Sequence, residues 1–362
     1  MKKRNGSIDF WKFVFSLVIA GFHSIYFARG EKFFFYDGAN MVEFFFLVSG
    51  FLMAASVMKQ DSQGAAAWKS TWRFLFHKIK GMCPEYYVAW AVAFVIKNAA
   101  GGFLPLALIC KHGILSIWEL FFLRMAGFND WNANGATWYI SAMLWVMLLL
   151  LPFFFKNKDF FLHITAPVLA IGILGYLYAS TRVLRGNTDW TGICFKGLLR
   201  AAGVLCTGCV CYLACQKLKE LTLTAFSKIL LSIVEIGGYL FALFWTFGHD
   251  SSRMEFVILV LFAVSVTISF SHQGILAPVF DNRAAYWLGS FSFPLFLAHH
   301  AWSGRMNKLF PQDSYEQLFV KYALLSVATA VLVSVLSGAV RRIYGKHREQ
   351  LRGLFVQTEK SA

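Results

Sequence analysis

Five polar residues sit inside two long apolar runs near the start of the chain. Asp9, Lys12 and His23 lie in IDFWKFVFSLVIAGFH, and Glu43 and Ser49 lie in VEFFFLVSGF. An ionisable side chain in hydrocarbon costs at least a few kcal/mol, so in a membrane-length run it is a functional candidate by default. These residue types suit proton and anion chemistry. A histidine titrates near neutrality and can take a proton from a hydroxyl. A carboxylate such as Glu43 or Asp9 can orient or tune that base, and a lysine near a helix end can meet a phosphate. Lys12 and His23 are eleven residues apart. That is about three helical turns, so both project from one face, roughly 16 Å apart along the axis. With Asp9 and Ser16 they form a polar stripe on an otherwise apolar helix. The competing reading is a core histidine satisfied by a neighbouring helix, with Lys12 reaching the headgroups.

The elements that must position these residues are membrane helices. The 362 residues are 58% hydrophobic and 15% charged, with a mean hydropathy of +0.56; a soluble domain carries about 25% charged residues. Apolar stretches of about 18 residues or more recur, which predicts an all-α, polytopic transmembrane bundle. Strict alternation is absent, which argues against a β-barrel. The net charge is +15, but the lysines and arginines collect in short loops, so it reads as topology rather than nucleic-acid binding. Four of the seven cysteines, Cys206, Cys209, Cys211 and Cys215, share one apolar segment. They read as small residues packing a membrane helix rather than as a metal site.

Taken in order, the chain predicts about ten helices. They span 10–28, 42–58, a third from near Pro84, a fourth from Thr137, then 160–179, 193–214, 229–247, 254–270, a ninth over WLGSFSFPLFLAHH and a tenth over 317–337. The basic start MKKRNGS followed by an apolar run has no small-x-small cleavage site, so it reads as an uncleaved first helix. The loop 29–41 is aromatic-rich, the segment from Lys59 to Lys80 is polar and basic, and 98–136 is irregular with a short interfacial helix at 114–127. Arg200 and Glu235 fall within helices, where each either lines a polar cavity or pairs structurally. Lysine and arginine favour one set of loops by roughly two to one, which sets both termini in the cytoplasm. The reading is a single transmembrane domain over 1–340 with a basic cytoplasmic tail at 341–362.

Three blocks carry a resemblance. The pattern I-D-x-x-(R/K)-x10-H is met by Ile8, Asp9, Lys12 and His23, and V-(D/E)-x-F-F-x-x-S-G-F by Val42, Glu43, Phe45, Phe46, Ser49, Gly50 and Phe51. The block L-G-x-x-S-(F/Y)-x-x-(Y/F)-L-x-H is met by Leu288, Gly289, Ser292, Phe293, Phe296, Leu297 and His299. Together, in this order, they resemble the type-3 acyltransferase family of integral membrane O-acyltransferases. Two further segments are similar to the family: Lys78, Lys80, Pro84 and Tyr86 or Tyr87, and the W-Y-I-S element with Trp138 and Tyr139. The family more often has arginine where this chain has Lys12, and that change removes a bidentate fork.

The resemblance implies a reaction and roles. An acetyl or other short acyl group would pass from cytosolic acetyl-CoA to a hydroxyl of a cell-surface or exported glycan, in the plasma membrane of a bacterium. His23 would be the base, with Glu43 or Asp9 as its partner and His299 as a second histidine. His300 points away from His299 and is the weaker candidate. Lys12, Lys78, Lys80 and Ser49 would hold the CoA, Trp138 and Tyr139 the acceptor, and no metal is implied. Spacing only permits this arrangement. A covalent acyl-histidine and a general-base route are both open, as are the sugar and the oligomeric state. A transporter or flippase for a lipid-linked sugar or small solute is the alternative, favoured by inverted repeats with paired broken helices, of which no clear pair is seen. A sensory or structural protein on the same scaffold would be marked by loss of His23, which is present.

Overall fold

A computed structural model describes residues 4–30, 34–60, 66–100, 102, 104–128, 131–250 and 252–360, with side chains as far as 345. Parts of the aromatic loop at 31–33, of the polar segment at 61–65, and the side chains of most of the basic tail lie outside the described residues. Almost all the rest is helix, because a backbone in hydrocarbon must satisfy its own N–H and C=O groups.

Helix α1 runs Gly6–Phe22, capped at its start by the Asn5 side chain, which accepts from the Ile8 N–H at 3.0 Å. It tightens into a 3-10 turn at His23–Phe27. Helix α2 is Val42–Lys59 and α3 is Ala67–Ala99. Short helices α4 (Leu106–Leu115) and α5 (Ile117–Leu120) precede α6 (Thr137–Lys156). Helix α7 (Lys158–Phe160), a π-turn at Phe161–Thr165 and α8 (Ala166–Ser180) make one 23-residue span. A small antiparallel hairpin, β1 (Trp190–Thr191) and β2 (Cys194–Phe195), leads into α9 (Lys196–Glu220). Then follow α10 (Ala225–Gly248), α11 (Met254–Ser271), α12 (Ala277–Phe280) and α13 (Arg283–Ala298). The chain closes with α14 (His300–Ser303), α15 (Met306–Leu309) and the long α16 (Tyr315–Lys360).

Among the described residues, eight of these segments are long and apolar enough to cross a membrane. Helices α3 and α13 pack among them, which accounts for the ten segments expected from the sequence. The fold class is an all-α polytopic bundle.

Several boundaries differ from the sequence reading, each for a physical reason. Helix α3 begins at Ala67, not near Pro84, which lies inside it. Its 33 residues span about 50 Å, well beyond a hydrocarbon core of about 30 Å. Lys69, Arg73, Lys78 and Lys80 therefore ride on a helical extension that hydropathy reads as loop. The region 98–136 holds two short helices and a 3-10 turn at Arg124–Ala126 instead of one interfacial helix. The ninth helix ends at Ala298, with a short helix following from His300, and the last helix continues well past 337.

Two packed pairs make the frame. Helix α2 crosses α9 at close range: a side chain on Gly50 would run into the Leu205 carbonyl, and one on Gly208 into the Leu47 carbonyl. Small residues at a crossing let backbones approach, and buried Cys209 lies in the same seam, its thiol 3.7 Å from the Gly50 carbonyl. Helix α1 packs along α13. Large apolar side chains on α8, α10 and α16, such as Ile171, Phe244 and Leu324, face outward, as lipid contact requires.

Candidate active site

The polar stripe on α1 faces α13 along its whole length. At one end Asp9 packs against Gly289, where any side chain would overlap the carboxylate. In the middle the Ser16 hydroxyl donates to the Ser292 carbonyl at 3.2 Å. At the other end the His23 ring lies 4.7 Å from that of His299. The first and third sequence blocks are thus the two faces of one parallel helix pair.

The 3-10 turn that ends α1 sets the His23 ring. Its Nδ1 lies 2.7 Å from the Ile19 carbonyl. A carbonyl only accepts, so Nδ1 carries the proton and Nε2 the lone pair. Tyr322 donates to the Ala20 carbonyl at 3.0 Å and the Ser24 and Tyr315 hydroxyls share a bond at 2.8 Å, so α16 holds this turn from behind. His299 is fully buried, and its Nε2 has no partner among the described residues. The His300 ring also comes to His23, at 5.0 Å. It backs directly onto Gly135, where no side chain fits. Helical spacing sets His300 about 100° round from His299, and the backbone at His299 stays helical, with φ −59° and ψ −37°; both rings nevertheless reach His23, at 4.7 and 5.0 Å.

The His23 and His299 rings open onto a cavity of about 330 Å³ whose wall also includes Phe22, Trp138, Arg185 and Arg200. Glu43 does not touch His23. Its Oε1 accepts from Arg200 Nε at 2.8 Å and from Nη2 at 2.5 Å, with both side chains almost completely buried. The carboxylate partner expected for His23 is thus committed to Arg200, and Asp9 is at the far end of α1; the group that orients the ring is the Ile19 carbonyl. Arg200 Nη1 donates to the Gly186 carbonyl at 2.8 Å, and its guanidinium lies 5.3 Å from the Trp138 ring. Trp138 lines the cavity. Tyr139 instead points into the bundle, where its hydroxyl and that of Ser49 lie 3.1 Å apart; the two residues read for acceptor and for CoA meet each other. Of the two buried charges singled out in later helices, Arg200 lines the cavity. Glu235 instead accepts from Ser7 at 2.7 Å and Ser269 at 2.6 Å, outside it.

At the opposite end of α1, Asp9 pairs with Arg4 at 2.7 Å and with Lys12 at 3.6 Å. Arg4 also donates to Ser290 at 2.8 Å. Lys78 comes close enough to Lys12 for the two charges to repel. Lys80 sits about 200° further round α3 and packs over Tyr344 at 5.1 Å instead. The structure therefore gathers Arg4, Asp9, Lys12 and Lys78 and leaves Lys80 apart.

Three parts were not found from the sequence. Glu255, at the start of α11, accepts from the backbone N–H groups of Leu184 and Arg185, and Lys196 donates to the Arg185 carbonyl at 2.7 Å. Both sit at helix ends, where charge is ordinary, so their burial leaves no trace in composition. The third part ties the 119–137 segment to the histidines. Arg124 donates to the Asn134 and Gly135 carbonyls at 2.8 and 2.5 Å, Thr137 donates to Glu119 at 2.7 Å, and Asn134 Nδ2 donates to the Leu297 carbonyl at 2.8 Å. Burial pushes the Glu119 carboxyl above its ordinary range, against the opposing pull of Arg124 and the hydrogen bonds. The N-G pair at 134–135 was the available signal.

Fold and site define a polytopic membrane protein with a histidine-lined cavity at one end of α1 and a cationic cluster at the other. The family model of the type-3 acyltransferases, described as an acyltransferase domain, matches residues 5–339, and the chain belongs to that family. It is a multi-pass membrane acyltransferase. No curated protein and no solved structure matches the chain.

Proposed function

We propose that the protein transfers an acetyl or other short acyl group from cytosolic acyl-CoA to a hydroxyl of a cell-surface or exported glycan, in the plasma (bacterial cytoplasmic) membrane, with His23 as general base. The observation that carries this is the His23 tautomer: Nδ1 is taken by the Ile19 carbonyl at 2.7 Å, which leaves the basic Nε2 for a hydroxyl in a cavity the ring itself lines. Nε2 takes the hydroxyl proton as the oxygen attacks the thioester carbonyl. The tetrahedral intermediate collapses, the C–S bond breaks, and the proton passes from Nε2 to the leaving sulfur. His299 stands beside His23 as a second ring able to hold that proton.

Ten crossings leave both ends on one face, and the lysine and arginine bias makes that face cytoplasmic. Acyl-CoA then meets Arg4, Lys12 and Lys78 with its phosphates. A pantetheine arm is long enough for the roughly 16 Å between Lys12 and His23. The acceptor enters from the other face, beside Trp138.

Membranes carrying the wild-type protein or His23→Ala at equal expression are incubated with acetyl-labelled CoA and glycan from the source cell. Alkali-labile label on the glycan is expected with wild type and not with the variant. Equal label in both would remove His23 as the base.

A further inference from the structure

The cavity wall facing the histidines has a composition that hydroxyl deprotonation does not require. Its charged side chains, among the described residues, are two arginines, Arg185 and Arg200. Each guanidinium is backed by an aromatic ring of the same wall: Arg185 lies 5.1 Å from the Phe22 ring and Arg200 lies 5.3 Å from Trp138. A ring against the face of a guanidinium leaves its edge as the side from which it donates.

The loop that carries Arg185 is held from the protein side by buried charge. Glu255 takes the Leu184 and Arg185 N–H groups, Lys196 Nζ takes the Arg185 carbonyl at 2.7 Å, and Arg200 takes the Gly186 carbonyl at 2.8 Å. The Gly197 N–H adds the Asn187 carbonyl at 3.0 Å. Glu43, Lys196, Arg200 and Glu255 are all buried; buried charge is tolerated where it is paired and hydrogen-bonded, and Lys196, Arg200 and Glu255 place such bonds on this loop. Arg200 makes three bonds, two to Glu43 and one to Gly186, out of the five N–H groups of a guanidinium. Glu43 Oε2, also buried, has no partner among the described residues. Asp250, 3.5 Å from Arg185, is largely exposed and lies outside the wall.

We propose that the acceptor carries an anionic group, a carboxylate or a phosphate, which Arg185 and Arg200 hold while its hydroxyl faces His23. Planar guanidiniums are the side chains suited to two-point recognition of either anion. This rests on the cavity being the acceptor's site.

The test uses the full chain in lipid nanodiscs and reads binding by saturation-transfer NMR, with D-glucuronate, D-glucose 6-phosphate and D-glucose as probes. At least one of the two anions is expected to bind at concentrations where glucose does not. Glucuronate alone assigns a carboxylate, glucose 6-phosphate alone a phosphate, and both together a site that accepts either. Arg185→Gln is expected to weaken the bound anion roughly tenfold or more, and Arg185→Lys to recover part of it, since lysine keeps the charge but not the fork. Glucose binding as well as either anion, or anion binding unmoved by Arg185→Gln, would overturn the proposal. Label transfer from acetyl-CoA is measured on the same sample. Transfer without anion binding overturns this inference alone; anion binding without transfer overturns the reaction and leaves the inference standing.

Discussion

Replacing Glu43 with glutamine isolates the buried ion pair under the cavity. Arg200 places Nε and Nη2 on one carboxylate oxygen at 2.8 and 2.5 Å, and the two side chains are 2% and 0% exposed. At this burial, removing one partner leaves an uncompensated charge, a loss of about 3–5 kcal/mol. Glutamine keeps the shape and can still accept a bond, so Glu43→Gln belongs at the lower end, about 3 kcal/mol. Arg200→Gln also strips the Gly186 carbonyl of its donor, adding about 1–3 kcal/mol for an unsatisfied buried acceptor. The double variant has no lone charge left, so it should be less destabilised than the sum of the singles by at least about 2 kcal/mol. Denaturant titration of the purified protein in mixed micelles, followed by tryptophan fluorescence, measures all four corners of the cycle. Single losses below about 1 kcal/mol that simply add would refute the argument, because they describe an exposed and screened pair.

Three other outcomes follow from particular contacts. Gly50→Ala places a methyl against the Leu205 carbonyl at the α2–α9 seam; overpacking should lower stability by about 1–3 kcal/mol, read in the same titration. Asn134→Ala frees the buried Leu297 carbonyl just ahead of His299. It should cost about 1–3 kcal/mol in stability and lower kcat more than it raises KM for acetyl-CoA, since the proposed donor site is at the far end of α1. Lys78→Ala should raise the KM for acetyl-CoA well above the rise caused by Lys80→Ala, because only Lys78 turns toward Lys12; comparable rises would return the two lysines to one site.

Much of the frame was legible because membrane helices declare themselves in runs of apolar residues, and the α1 stripe was legible because 100° per residue decides which side chains share a face. That arithmetic gives a direction around one helix and not what a neighbouring element brings there: His300, about 100° round from His299, still meets the His23 ring at 5.0 Å. Glu43 read as a partner for His23 because both lie in the first fifty residues, whereas its real partner is 157 positions away on α9. A single sequence carries no record of such a pairing. The start of α3 was lost to its own lysines and arginines, which hydropathy scores as loop although they ride on a helix projecting past the hydrocarbon. Arg185, Lys196 and Glu255 occupy loop and helix-end positions where charge is ordinary, so only three-dimensional burial separates them from topology signals.

The proposed reaction carries acyl groups from a donor on one face to a hydroxyl on the other, with His23 taking the proton. Proteoliposomes of one protein orientation, with labelled acetyl-CoA supplied on a single face and acceptor glycan enclosed or added opposite, test it most directly. Label should reach glycan only when acetyl-CoA is on the face that carries Arg4, Lys12 and Lys78, and should fail with His23→Gln in the same orientation. Transfer between donor and acceptor held on one face, or transfer that survives His23→Gln, would contradict the account.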